Sequence, residues 1–267
     1  MPDAQSRQSR LREALGIVAV SFLAYALCDL LHEAAHAVAT LLPLGVRALS
    51  ISTVSVETTQ SSPVVAAAGS AANVVLGFTV LLSFSSSLAS SWRYFGWLLG
   101  SLNLFNATGY LLYSAVFDSG DMAVVFRAIA PSLPWRPIVA VAGLALYAGA
   151  IRLSLLGLRR LVDAGVVTAA SIQSSCMLPY WFGGLLLLAG AAFNPAGPWL
   201  ILTSGAAVGF GAMAGLVLLP RLLRGASSDP SRSSEPLRLG WPWLLAGIVA
   251  AVVFVCVFGP GVSLAGG

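Results

Sequence analysis

The segment Cys28-Asp29-Leu30-Leu31-His32-Glu33-Ala34-Ala35-His36 is where this chain is equipped for chemistry. The protein has only two histidines, and both stand here, four residues apart, with Glu33 directly after the first. On a helix that spacing puts His32 and His36 one turn apart on the same face, so both imidazoles can reach one metal ion. Glu33 is close enough to take a proton from a water held at that metal without filling a ligand position itself. An H-E-x-x-H helix of this kind points to zinc as the cofactor and to hydrolysis as the reaction.

Two histidines leave a catalytic zinc one protein ligand short, and the usual third is a histidine or a carboxylate. With no further histidine in the chain, the carboxylates near apolar segments are Asp29, Asp118, Asp121 and Asp163. Asp29 lies too close to His32 along the same helix to reach the same ion; it either hydrogen-bonds an imidazole from behind or faces water. Asp163, beside Arg159 and Arg160, reads as a solvated loop residue. Asp118 and Asp121, in Phe117-Asp118-Ser119-Gly120-Asp121-Met122, remain open as ligands. Asn73, Asn103 and Asn106 are amides inside apolar runs. They either bond between helices or, near a metal, bind substrate backbone and stabilise an oxyanion. Cys28 reads as packing.

The elements that must hold these residues are set by solvent. Hydrophobic residues make up 58% of the 267 and charged ones 9%, against roughly 45–50% and 25% in a soluble domain. Such a surface has to face lipid, where helices satisfy their own backbone. The expectation is an all-α integral membrane protein with about seven transmembrane helices, near 14–42, 63–89, 94–116, 137–157, 177–193, 198–220 and 241–259. No small-residue cleavage site precedes the motif, so the first run is expected to be retained. Residues 1–13 read as a polar tail, 14–128 as a catalytic three-helix core, and 129–267 as an accessory four-helix region with a flexible Ser/Pro/Arg-rich loop at 221–240. Between the first two helices, residues 47–58 (RALSISTVSVET) are rich in Ser, Thr, Val and Ile. They predict a short β element, which is either a small structural hairpin or a strand seeking a partner.

The net charge of +4 comes from fourteen Arg and no Lys, scattered between apolar runs. That is a topology signal and not a nucleic-acid patch. Arg7, Arg10, Arg12, Arg93, Arg159, Arg160, Arg221, Arg224, Arg232 and Arg238 fall on one side of a seven-span layout, and Arg47, Arg127 and Arg136 on the other. The positive-inside rule then puts the N-terminus in the cytoplasm of a multi-pass cell membrane protein. The lack of Lys beside abundant Ala and Gly suggests a bacterial source. Cys28, Cys176 and Cys256 are odd in number and far apart, which excludes a disulfide framework.

Three features together resemble the site-2 protease family of intramembrane metalloproteases. They are His32-Glu33-Ala34-Ala35-His36, the small-residue run Ala68-Gly69-Ser70-Ala71-Ala72-Asn73, similar to that family's A-G-P-x-x-N, and Asn103-Leu104-Phe105-Asn106 followed by Asp118-Ser119-Gly120-Asp121, similar to its N-x-x-P…D-G. The proline of the third motif is absent, since Asn106 is followed by Ala107-Thr108-Gly109, and the Asn-to-Asp interval is longer. The resemblance covers roughly residues 25–125. It implies that an Asp of the third motif is the third zinc ligand, and Asp121, which opens a new amphipathic stretch, is favoured over Asp118. It also implies a transmembrane protein substrate, unwound against a β element where residues 47–58 stand, and a zinc nearer the cytoplasmic face, opposite to the arginine bias. Outside this family the rival readings are a membrane metal transporter or sensor and an inactive protease-like scaffold. A transporter would show polar residues on several spans along a path, whereas here they gather near one site.

Overall fold

The computed structural model describes residues 4–83, 88–129, 134–223, 237 and 239–264. Helix α1 (Ala4–Ala39) is followed by strands β1 (Ala48–Ile51) and β2 (Val56–Thr58), then by α2 (Pro63–Leu82), α3 (Ser90–Phe117), the short α4 (Asp121–Ile129) and α5 (Trp135–Asp163). Helices α6 (Ile172–Leu178) and α7 (Gly184–Ala192) are joined by a π-wound turn into one rod. A π-wound stretch (Ile201–Gly211) runs into α8 (Gly215–Leu222), and α9 (Trp241–Val253) leads to strand β3 (Val262–Ser263). Residues 4–13, expected as a tail, are the first turns of α1. They contain no Gly or Pro and are rich in helix-forming Ala, Gln, Arg and Leu, so nothing there interrupts the helix. Most of the loop expected at 221–240 lies outside the described residues.

Among the described residues, six helices are long and apolar enough to cross a membrane: Arg7–Ala39, Pro63–Leu82, Trp135–Asp163, Ile172–Ala192, Ile201–Leu222 and Trp241–Phe258. Large apolar side chains such as Phe78, Val141, Leu144, Leu245, Ile248 and Val252 are exposed, as a lipid-facing surface requires. The 28-residue α3 is as long as these spans but less apolar, because it is the central helix and its neighbours shield it. It packs on α1, α2 and α5 and buries Ser101, Asn103, Asn106 and Thr108. Thr108 Oγ1 donates to Leu104 O at 2.7 Å and Asn103 Nδ2 to Leu99 O at 2.8 Å, so part of this polarity closes on the helix's own backbone.

The largest apolar cluster among the described residues runs through both halves of the chain, from Ile17 and Tyr25 on α1 through Trp97 and Phe105 on α3 and Leu158 on α5 to Phe254. Buried aromatic donors tie the helices together. Tyr94 OH donates to Ser175 O and Trp97 Nε1 to Ser154 O, both at 2.9 Å. Such bonds satisfy polar groups that lipid would leave bare.

The 47–58 segment is a hairpin and not one strand. Ser52 makes the turn: its Oγ accepts from Val54 N and Ser55 N and donates to Ser55 O. Residues 52–55 therefore leave the extended path, and β2 returns antiparallel to β1. No residue pattern predicts the third strand. β3, beyond the last helix, pairs antiparallel with the other edge of β1 in the order β2-β1-β3.

Candidate metal centre

His32, Glu33 and His36 occupy the last turns of α1, all less than 7% exposed. The hairpin then brings the chain back so that α2 starts beside them, its first turn capped by Ser62, whose side chain accepts from Val65 N. Helix α3 returns to the same end and stops at Asp118, which adopts the left-handed conformation (φ 52°), and Gly120 does the same at φ 80°. Two such residues within three reverse the chain, and Gly120 accepts the strain that another residue would resist. The freed carbonyls at the end of α3 take arginine donors, Arg127 on Asp118 O and Arg136 on Ala115 O and Val116 O. Asp121, the first residue of α4, is thereby aimed back at the histidines.

The three side chains converge on one point. His32 Nε2 and His36 Nε2 are 3.1 Å apart, and Asp121 Oδ2 lies 3.3 Å from the first and 3.2 Å from the second. This His32, His36, Asp121 group could hold a metal ion. Asp118 turns the other way, with its Oδ1 2.7 Å from Arg127. The choice between the two aspartates is therefore geometric: Asp118 caps and braces the turn, and Asp121 faces the site. Burial works against ionisation of Asp121, but its hydrogen bonds to His32 and His36 outweigh this and hold its carboxyl well below the ordinary carboxylate range.

Two further observations fit a metal. His36 Nδ1 lies 2.7 Å from Val65 O. A carbonyl only accepts, so Nδ1 carries a proton, and Nε2 is the nitrogen left to give a lone pair to a metal. Gly69 on α2 packs flat against both imidazoles. A Cβ there would lie 2.5 Å from His36 Nε2 and 2.6 Å from His32 Nε2, closer than van der Waals contact allows, so only glycine lets α2 approach both rings.

Beside this point is a cleft of about 250 Å³, lined by Glu33, His36, Asp121, Tyr110, Val56 and Thr58 among others. Glu33 is 5% exposed and its Oε2 has no hydrogen-bond partner. A buried, unpaired carboxylate oxygen at the lip of a metal-competent site is placed to exchange a proton with whatever enters.

Asn73 and Asn106, candidates for holding substrate, do not line the cleft. Asn73 is fully buried with its amide against His32 Nδ1, and Asn106 is 2% exposed with its Nδ2 4.0 Å from Cys28 Sγ. Both sit on helix faces that close onto α1, which keeps them from the opening. Asp29 does not back an imidazole either; its Oδ2 is buried without a partner. Asp163 is exposed at the end of α5. Sequence reasoning missed Tyr110, which lines the cleft with its ring centroid 5.3 Å from that of His32. Its position one turn beyond Asn106 on α3 was the available signal. The Val65 carbonyl left none. No protein-family model, no curated protein and no solved structure matches the chain.

Proposed function

We propose that this chain is an intramembrane zinc metalloprotease, similar to site-2 proteases, that hydrolyses peptide bonds within or beside transmembrane segments of membrane proteins. The observation that carries the reading is the triangle of donors. Ligands about 2.0–2.1 Å from a tetrahedral zinc lie about 3.3–3.4 Å from one another, and His32, His36 and Asp121 present their donor atoms 3.1–3.3 Å apart. Three protein donors leave a fourth position open, as in catalytic rather than structural zinc sites.

Zinc bound there supplies Lewis acidity, making water a nucleophile near neutral pH and polarising the scissile carbonyl. Glu33 accepts the proton of the attacking water and delivers it to the leaving amine nitrogen. The substrate must lose helical hydrogen bonds before its carbonyl is accessible, and the sheet offers replacements. β1 is paired on both sides, which leaves the outer edges of β2 and β3; Val56 and Thr58 of β2 line the cleft, so the β2 edge is the one an extended peptide beside the site would meet.

The reading includes seven spans. From the end of α1 to β3 the chain must cross an even number of times, since β3 pairs with β1. Five of the apolar spans lie in that interval, so α3 supplies the sixth crossing, and α1 makes seven. The sheet and metal site then share one membrane face, and the N-terminus and the connection after α8 share the other.

The test is metal analysis of purified protein. About one zinc per chain is expected, from the ligand count of a catalytic site, and none in His32→Ala. Wild type without bound metal after purification in zinc-supplemented buffer would refute the assignment.

A further inference from the structure

Asn73 is a buried polar group at the site whose role is still open. It stands one turn beyond Gly69 on α2, fully buried, with its Nδ2 3.1 Å from His32 Nδ1. Its Oδ1 is equally buried and has no hydrogen-bond partner. In this arrangement the amide donates, so His32 Nδ1 is an acceptor and the imidazole proton sits on Nε2, where it can be given to Asp121 Oδ2 at 3.3 Å. That network is consistent for an imidazole that holds no metal.

It is inconsistent with a metal on Nε2. The Nε2 lone pair is then taken, the proton must sit on Nδ1, and the amide N–H would face another N–H across a dry contact. The unpaired Oδ1 lies on the same carboxamide. A half-turn about the Cβ–Cγ bond exchanges two groups of nearly identical shape, giving Nδ1–H an acceptor and Oδ1 a donor and moving the Nδ2 donor to the place Oδ1 held. His36 has no such choice, because the Val65 carbonyl accepts from its Nδ1 with or without a metal.

We propose that Asn73 is a positioning residue for the metal site, a carboxamide that donates to His32 Nδ1 when Nε2 is free and turns to accept Nδ1–H when Nε2 binds metal. One histidine is thus preset by backbone and the other is set by an amide that serves both states. Aspartate at position 73 could only accept, and leucine could do neither. This inference rests on the proposed metal reading, and the tests separate the two.

Zinc affinity is measured on the full chain in detergent micelles by competition with a chromophoric chelator, for wild type, Asn73→Leu and Asn73→Asp. Asn73→Leu is expected to weaken zinc binding about 10–100-fold, the usual loss for a partner behind a ligating histidine. Asn73→Asp keeps the acceptor and is expected to stay nearer wild type than Asn73→Leu. On wild type alone, ¹⁵N NMR of the histidines should show the His32 proton on Nε2 without zinc and on Nδ1 with it, while the His36 proton stays on Nδ1. This readout stands even if Asn73→Leu fails to fold. Zinc binding by Asn73→Leu as tight as wild type, equal losses in the two variants, or a His32 tautomer unchanged by zinc would each overturn the role of Asn73 while leaving the metal site intact. A wild type that binds zinc no better than His32→Ala would overturn the metal reading and this inference together.

Discussion

The first four helices and the rest of the chain are built from similarly apolar sequence, but they differ in the polar groups they bury. From α1 to α4 the buried polar side chains include His32, Glu33, His36 and Asn73, which with the half-buried Asp121 gather around one point. From residue 134 onward the buried polar side chains among the described residues are Ser154, Ser171 and Ser175. Ser154 and Ser175 lie where backbone carbonyls take donors from Trp97 and Tyr94. Ionisable groups are expensive inside a bilayer, about 2.5–3.5 kcal/mol each on insertion scales, and persist where they act. The contrast separates a half that gathers a group able to hold a metal from a half that packs around it and contributes β3 to the sheet.

The largest effects should come from the point of convergence. His36→Ala should lower zinc affinity by well over the roughly 10–100-fold typical of losing an outer partner. Gly69→Ala should do the same with every ligand intact, because its Cβ would occupy the space beside both Nε2 atoms. Equilibrium dialysis of both variants checks this, and normal zinc binding by Gly69→Ala would refute the close packing of α2 on the site.

The next comparison sharpens the boundary within the first half. Asp121→Asn should lose zinc affinity nearly as severely as His36→Ala, whereas Asp118→Asn should keep it. Asp118 pairs with Arg127 where both are substantially exposed, so its loss should cost about 0–1 kcal/mol of stability. Chelator competition beside thermal unfolding would distinguish the two, and a reversal would move the ligand role to Asp118.

In the packing half, Leu158→Ala removes a fully buried side chain from the core. It should cost about 2–5 kcal/mol of stability and leave zinc affinity unchanged in the protein that remains folded. Weakened zinc binding there would show that the two halves are energetically coupled. The smallest expected signal concerns sidedness. With the three native cysteines replaced, Ser228→Cys in intact cells should resist an impermeant thiol reagent if the arginine bias governs topology. Labelling there would favour the opposite orientation.

Much of the site was legible because its chemistry is local. The i, i+4 histidines and Glu33 are one helix turn, and a helix turn can be read from spacing alone. Asp121 could be favoured over Asp118 but not separated from it, since Asp118 differs by a left-handed φ and an Arg127 contact nine residues away. Asn73 and Asn106 were recognisable as special but not as buried, because which face of α2 or α3 meets α1 depends on packing partners far along the chain. The hairpin was foreseen as β-forming residues, and its turn depended on one hydroxyl at Ser52. β3 was invisible because two residues paired across the whole chain carry no periodicity. The polarity of α3, which weakens its signal as a span, is explained only by its central place.

Cleavage by Glu33→Gln tests the central claim most directly. Wild type and variant, each loaded with zinc, are incubated in micelles with a library of single-span membrane polypeptides, and new termini are read by mass spectrometry. Wild type is expected to cut within or beside the apolar segments, and Glu33→Gln to retain its zinc while cutting about 10²–10⁴-fold more slowly, the usual contribution of a general base. Equal cleavage by the two zinc-loaded proteins, or none by either, would contradict the account.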